Sequence, residues 1–433
     1  MLIWGMCNKY TNKLEHVMAS PLEESFNKLH NEFDKLRSEH EALKEQVKND
    51  KHTKYFNDIR DFGPLDGRGN PETDNTEAIR QAIVDSNQND MPIYIPGDAV
   101  IKETIEVPFQ TGYSFLGSTS RQQINVNHRF DGPGSSITWD GEEGKAMFKI
   151  QGQNANIKDL SFFGKRWEQP SEWTPEGRAE IGILVTKPQR GMGTGKSYFQ
   201  NLFCENCVTG IQFGENEEMD NCDVTSFAGT TSFNNCDNGM KVMNLMGMGY
   251  HMDMVVGYQV KNVFNFREGG GLEVGKAVVT GSSVESFIRT GKSQVNNSHF
   301  KIGMFKRDAQ ADNCQIVTME ERGVGKFLFD QIHTSMGVNR QGKPDFDLKG
   351  APQLTIRGHN KLLAGSIVVT ERYDGKNADR KARIIIDGCT IDAKDPRSIV
   401  SEKSDAPYLL QIRACHDWNG NAVEDMTIHY MPS

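Results

Sequence analysis

Between residues 22 and 47 the apolar positions step along the chain by four and three. Leu22, Leu29, Leu36 and Leu43 recur every seventh residue, and Phe26, Phe33, His40 and Val47 fill the second seam position. The residues between them are mostly Glu, Lys, Asp, Asn and Ser. A 3.5-residue period confines the apolar side chains to one narrow stripe, which a lone helix leaves in water. The pattern predicts an α-helical coiled coil. Large Phe side chains in the seam argue against a tight dimer and leave a trimer. The competing reading is an amphipathic helix packed on its own domain. His40 in the seam either fixes register or is tolerated there, and a pH switch is a further reading of it. Residues 1–20 are short and irregular and are read as a docking segment, so that residues 1–52 make one unit.

After Lys51 the pattern changes. Asp74-Asn75-Thr76-Glu77 has the form of a capping box. Ala78, Ile79, Ala82 and Ile83 then fall on one helical face. Ile93-Tyr94-Ile95, Pro96-Gly97, and Val100, Ile101, Ile105 and Val107 read as strand, turn and strand. Further on, a loose six-residue pattern recurs: apolar, any, Asn or Asp, apolar, any, apolar. It occurs at Ile157-Lys158-Asp159-Leu160-Ser161-Phe162 and at Phe199-Gln200-Asn201-Leu202-Phe203-Cys204, with weaker copies starting at Val260, Val295 and Val423. A second repeat aligns Asn206-Cys207-Val208-Thr209-Gly210-Ile211-Gln212-Phe213 with Asn235-Cys236-Asp237-Asn238-Gly239-Met240-Lys241-Val242. Short strands with inward apolar residues and polar turns, repeated at variable spacing, are the pattern of a solenoid.

Asn57-Asp58-Ile59-Arg60-Asp61-Phe62-Gly63, the Asp66-Gly67 turn, Thr73-Asp74-Asn75-Thr76-Glu77-Ala78-Ile79 with Ala82-Ile83, and Tyr94-Ile95-Pro96-Gly97 follow one another in order. Together they resemble the N-terminal lead-in of the pectate-lyase-like superfamily, in a form common in phage tail spikes and in polysaccharide-degrading enzymes. The resemblance covers residues 55–117. It implies an all-β, right-handed, single-stranded parallel β-helix, here preceded by the coiled coil. The expected organisation is a docking segment and coiled coil at 1–52, a lead-in and cap unit at 53–117, the β-helix body at 118–345, and further rungs or a small β domain at 346–433. The helix starting at Thr76 is the expected cover for the first rung.

Composition narrows the functional classes. The chain of 433 residues carries 49 basic and 58 acidic side chains, a formal charge of -9, with no basic block. Nucleic acid is therefore a poor expected partner. No apolar run is long enough to span a membrane. The N-terminal apolar run is broken by Gly5 and has no basic residue before it, so no secretory signal is expected. Eight Cys in a chain of this length are read as free thiols.

Several motifs fall away on inspection. Gly191-Met192-Gly193-Thr194-Gly195-Lys196-Ser197 suggests a phosphate loop, but Arg190 stands where the Walker pattern needs Gly. Cys204 and Cys207 form a C-x-x-C, yet Cys222 and Cys236 are single and do not make the second close pair of a zinc site. Stacked small side chains in adjacent turns explain Cys207 and Cys236 instead. The run of Met from Met240 to Met254 is read as core filler. No metal or cofactor is expected.

Two features point to carbohydrate. The insertion after Gly164 places Trp167, Glu168, Glu172 and Trp173 on a polar loop between rungs. Indole rings stack on sugar faces and carboxylates accept sugar hydroxyls, and the bland alternative is a loop whose Trp side chains pack on a β-helix. A hydrolase needs two carboxylates at defined spacing; Asp220, Asp223, Asp237 and Asp253 are the candidates, with Glu320 and Glu321 further on, and the sequence does not select among them. The catalytic motifs of the polygalacturonase branch are incomplete here, with Gly358-His359-Asn360 a partial echo of one, and the calcium-binding acids and basic proton acceptor of the pectate-lyase branch are not found as a set.

The resemblance, the coiled coil, the free thiols and the lack of an export signal together imply a homotrimeric phage tail-spike- or fibre-like protein. It would be made in the host cytoplasm and carried on the virion tail. Its N-terminal segment would meet other tail proteins, and its body would bind bacterial surface polysaccharide, with or without depolymerase activity. A polysaccharide lyase or glycoside hydrolase unconnected to a virion is the alternative, and a purely structural appendage a third.

Overall fold

The computed structural model describes residues 28–40, 55–65, 72–108, 113–118, 135–151, 155–165, 177–186, 196–215, 224–243, 249–291, 298–335, 342–373 and 380–432. The chain divides into two units, Met1–Tyr55 and Phe56–Ser433. In the first, residues 28–40 are α-helical, and Leu29, Phe33 and Leu36 lie two-thirds exposed along it. Among the described residues of this unit, no side chain covers this stripe. Leu22, Phe26, Leu43 and Val47 lie outside the described residues, and His40 ends the described helix in solvent.

The second unit is built from parallel ladders. Its strands pair into sheets of 18, 10 and 3 strands among the described residues. The 10-stranded sheet shows the coil most directly. Thr209 pairs with Asn238, Asn238 with Asn262, Asn262 with Ser286, and Ser286 with Gln315, always in parallel. Parallel neighbours one coil apart in sequence are the signature of a solenoid, because each strand must travel round the core before it lies beside the last. The steps of 29, 24, 24 and 29 residues explain why no strict sequence period survives.

The two sequence repeats turn out to be corners. In the six-residue pattern the strands Asn156–Lys158 and Ser161–Phe163 flank Asp159 (φ 56°), and Ser197–Gln200 and Phe203–Glu205 flank Asn201 (φ 52°). In the second repeat Asn206 (φ 57°) and Asn235 (φ 50°) make the next corner, before the strands Thr209–Phe213 and Asn238–Val242. Asn and Asp tolerate the left-handed region better than other side chains, so they mark bends. The copy starting at Val260 differs: it follows the second corner, where Gln259 has φ 53°, and enters the 10-stranded sheet. From Thr225 onward the first corner softens. Single strands such as Thr225–Asn234 and Tyr250–Tyr258 run through it, with a register shift between Phe227 and Thr230.

Side chains that alternate inward fill the coil. Phe213, Tyr250, Phe266, Phe300 and Phe327 form a continuous run of ring contacts, with centroids 4.7–6.3 Å apart. The helix Thr76–Asn89 buries Ala78, Ile79, Ala82 and Ile83 against the first strands. Its start differs from a capping box. Asn75 makes no side-chain cap bond; its amide donates to the Pro64 carbonyl and accepts from the Val100 N–H, tying the helix to the strand Asp98–Ile101. Asp74 takes the Thr76 N–H instead.

At the other end, Gln353–Arg357, Ala382–Asp387 and Tyr408–Arg413 continue the parallel ladder. Met426–Tyr430 does not add a rung as the copy at Val423 suggested. It pairs antiparallel with Tyr408–Arg413, and Tyr430 stacks on Tyr408 at 4.8 Å. The connection from Arg413 is too short for a full circuit, so the strand folds back and covers the last parallel edge.

Candidate functional site

The outer surface of the large sheet collects the chemistry. Register fixes which side chains share a column. In the first outward column His299 lies opposite Lys326, Lys326 opposite Gln353, and Gln353 opposite Arg383. In the next, His251 lies opposite Glu273, Glu273 opposite Lys301, and Lys301 opposite Leu328. The third column lies two residues on, at the softened corner. There the pairings on either side set Asp253, Gly275, Gly303 and Asp330 one above another.

Glycine is dictated at two of those positions by the backbone. A Cβ on Gly275 would lie 2.7 Å from the Asp253 carbonyl oxygen, and one on Gly303 2.7 Å from the Gly275 carbonyl oxygen. The result is a trough two rungs long with no side chain on its floor, closed at its ends by Asp253 and Asp330. Asp253 is oriented by the Gly229 N–H, at 2.9 Å. Asp330 is held by Arg357 at 3.2 Å, and the same column continues through Arg357, Asp387 and Arg413. Glu273, beside the trough, lies 3.6 Å from His251. Next to this surface a depression of about 490 Å³ is lined by Val324, Lys326, Ala351, Gln353, Arg380 and Lys381.

The residues singled out from sequence fare differently. Trp167, Glu168, Glu172, Trp173, Asp220 and Asp223 lie outside the described residues. Asp237 sits at the second corner, away from the trough, 3.6 Å from Arg178 and 3.4 Å from Lys261. Glu320 is held by Arg267 and Arg289, and burial alone would raise its carboxyl. The hydrogen bonds and charges of the two guanidiniums outweigh that and hold it below the usual range. His359 is buried, with its backbone N–H on the Cys389 thiol and its Nδ1 accepting from Lys361 N, so the histidine of the Gly-His-Asn echo belongs to the core while Gly358 and Asn360 beside it are exposed. Cys204, Cys207 and Cys236 are fully buried together; burial raises the first two thiols well above the ordinary range and pushes Cys236 up to about 12. Among the described residues no three His, Cys, Asp or Glu side chains converge as a metal site.

Sequence inspection missed one aromatic. Trp418 is 51% exposed, with the Lys361 ammonium 5.7 Å from its ring centroid. Its loop is wired by Asp417, whose carboxylate accepts from the Asn419 and Asn421 N–H groups and the Asn421 amide, each at 2.8 Å. A Trp followed by Asn-Gly-Asn after a strand was the available signal.

No protein-family model matches the sequence, and no curated protein is significantly similar to it. Among solved structures, one similar chain is the crystal structure of DFA-IIIase from Arthrobacter chlorophenolicus A6. The match covers 87% of this chain and 91% of that one, at 12% identity and a TM-score of 0.49. The parallel coil assigned above stands on the hydrogen-bonded ladders themselves. No helix among the described residues is long and apolar enough to cross a membrane.

Proposed function

We propose that this chain is a tail-spike- or fibre-like attachment protein that binds a bacterial surface polysaccharide along the outer face of its large sheet. The observation that carries the reading is the glycine-floored trough between Asp253 and Asp330. Its backbone floor gives a sugar chain close approach, and its carboxylates accept hydroxyl hydrogen bonds from either end. The columns repeat about every 4.8 Å, so a linear polymer meets similar groups as it advances along the rungs. The loop with Trp167, Glu168, Glu172 and Trp173 is a second contact region in this proposal. The heptad stripe assembles three copies, and residues 1–20 meet other tail proteins.

Binding to an array of purified bacterial capsular and O-antigen polysaccharides tests the reading. Wild type is expected to retain a small subset of them. Asp253→Asn together with Asp330→Asn is expected to weaken that retention with the fold intact by circular dichroism. Absence of any retained glycan would overturn the proposal.

A hydrolase is the second reading, favoured by one observation. Asp253 and Glu273 stand on neighbouring rungs two positions apart on the same outer face, which places two acidic side chains along one stretch of a bound chain, as a glycosidase requires. New reducing ends from a retained glycan, lost in Glu273→Gln, would support it.

A further inference from the structure

The depression beside the trough differs in charge from the chain as a whole. The sequence is net acidic, at -9. Yet Lys326, Arg380 and Lys381 line this one hollow together with Gln353. Arg383 stands two rungs from Lys326 in the same outward column, with Gln353 between them. Lys301 stands in the adjoining column, on the rung before Lys326. Lys301, Lys326, Lys381 and Arg383 make no ion pair among the described residues, whereas nearby cations do: Arg357 with Asp330, and Arg322 and Lys349 with Glu371. Among the described residues, the acidic groups in register beside these columns are Glu273, opposite Lys301 and 3.6 Å from His251, and Asp330, paired with Arg357.

Cations gathered on neighbouring rungs lie within one Debye length of each other, about 10 Å at 0.1 M salt, and repel. A concave, positively charged hollow on a negatively charged molecule concentrates anions there. Arg383 offers a planar fork for a carboxylate or sulfate, and the lysines offer mobile point charges.

We infer that this depression binds the acidic groups of an anionic glycan, so that the polysaccharide carries carboxylate or sulfate on its repeat. The inference rests on the glycan-binding reading and names its ligand class. Lys326, Lys381 and Arg383 hold the anionic groups, Gln353 takes a neighbouring hydroxyl, and the chain of sugars continues from the hollow to the trough.

Calorimetric titration of the full-length chain with polygalacturonate, dextran sulfate, dextran and duplex DNA tests this. Polygalacturonate or dextran sulfate is expected to bind, more weakly as salt rises. A Lys326→Gln, Lys381→Gln, Arg383→Gln variant is expected to lose about tenfold or more in affinity, equivalent to at least 1.4 kcal/mol. Lys326→Arg should keep binding, which separates loss of charge from loss of fold. Equal affinity for dextran would overturn the anionic assignment while leaving glycan attachment standing. Duplex DNA bound as tightly as the acidic glycans would overturn the glycan assignment. So would unchanged affinity in the triple variant.

Discussion

Arg307 and Asp345, 38 residues apart, form an ion pair sealed inside the coil: their side chains are 2% and 1% exposed and meet at 2.8 Å. The same Arg307 Nη1 donates to the Cys314 carbonyl at 2.7 Å, and Nη2 faces Thr334 Oγ1 at 3.4 Å. Arg307 ends one strand and Asp345 precedes the strand Phe346–Lys349, so the pair binds successive coils from within. Removing one partner leaves a buried charge alone. Asp345→Ala is expected to cost about 3–5 kcal/mol in urea unfolding. Arg307→Met combined with Asp345→Leu is expected to cost clearly less, because both charges leave together.

Glu320 gives the fold an acid-sensitive point. Its carboxyl is held below its ordinary value of 4.5 by Arg289 and Arg267 against the opposing effect of burial. A depressed carboxylate contributes stability that is present above the unfolded-state value and lost as the pH falls through the folded one. Wild type should therefore exceed Glu320→Gln in thermal stability at pH 7. The gap should close as the pH falls below about 4.5, near the unfolded glutamate value. A gap that persists unchanged at low pH would remove the ion pairs as its cause.

The repeated glycines of the second repeat answer to one ring and to the carbonyl oxygen of the next coil, which a Cβ would meet at 2.7 Å: Gly239 O for Gly210 and Val263 O for Gly239. A Cβ on Gly239 would come 2.6 Å from Phe233 Cδ2, and one on Gly210 would come 2.8 Å from Phe233 Cδ1. Gly239→Ala is expected to destabilise by about 1–3 kcal/mol through overpacking. Adding Phe233→Leu should recover part of that loss, which a double-mutant cycle in urea would show.

The exposed stripe of Leu29, Phe33 and Leu36 on helix 28–40 has no cover within its own unit among the described residues. If three copies bury it, sedimentation equilibrium of the full chain gives a trimer, and Leu29→Asp with Leu36→Asp gives a monomer whose β-rich circular dichroism is unchanged. A monomeric wild type would return the stripe to its intramolecular reading.

Local sequence determined the corners, the inward side chains and the helix at Thr76, because each depends on a few adjacent residues. Asn201, Asn206 and Asn235 announce bends through their tolerance of positive φ, and alternation announces which side chains face in. The coil itself was legible from the lead-in motif and the repeats. What only the tertiary structure decided is register. Loops of unequal length separate Asp253, Gly275, Gly303 and Asp330, and equally Lys326, Gln353 and Arg383, so no spacing in the sequence sets them in columns. The hydrogen bonds between coils do that, and they also hold Asp237 beside Arg178 and Lys261 and turn Met426–Tyr430 back on itself. A surface site on a solenoid is made by residues one circuit apart, and sequence distance carries little trace of them until the circuit is closed.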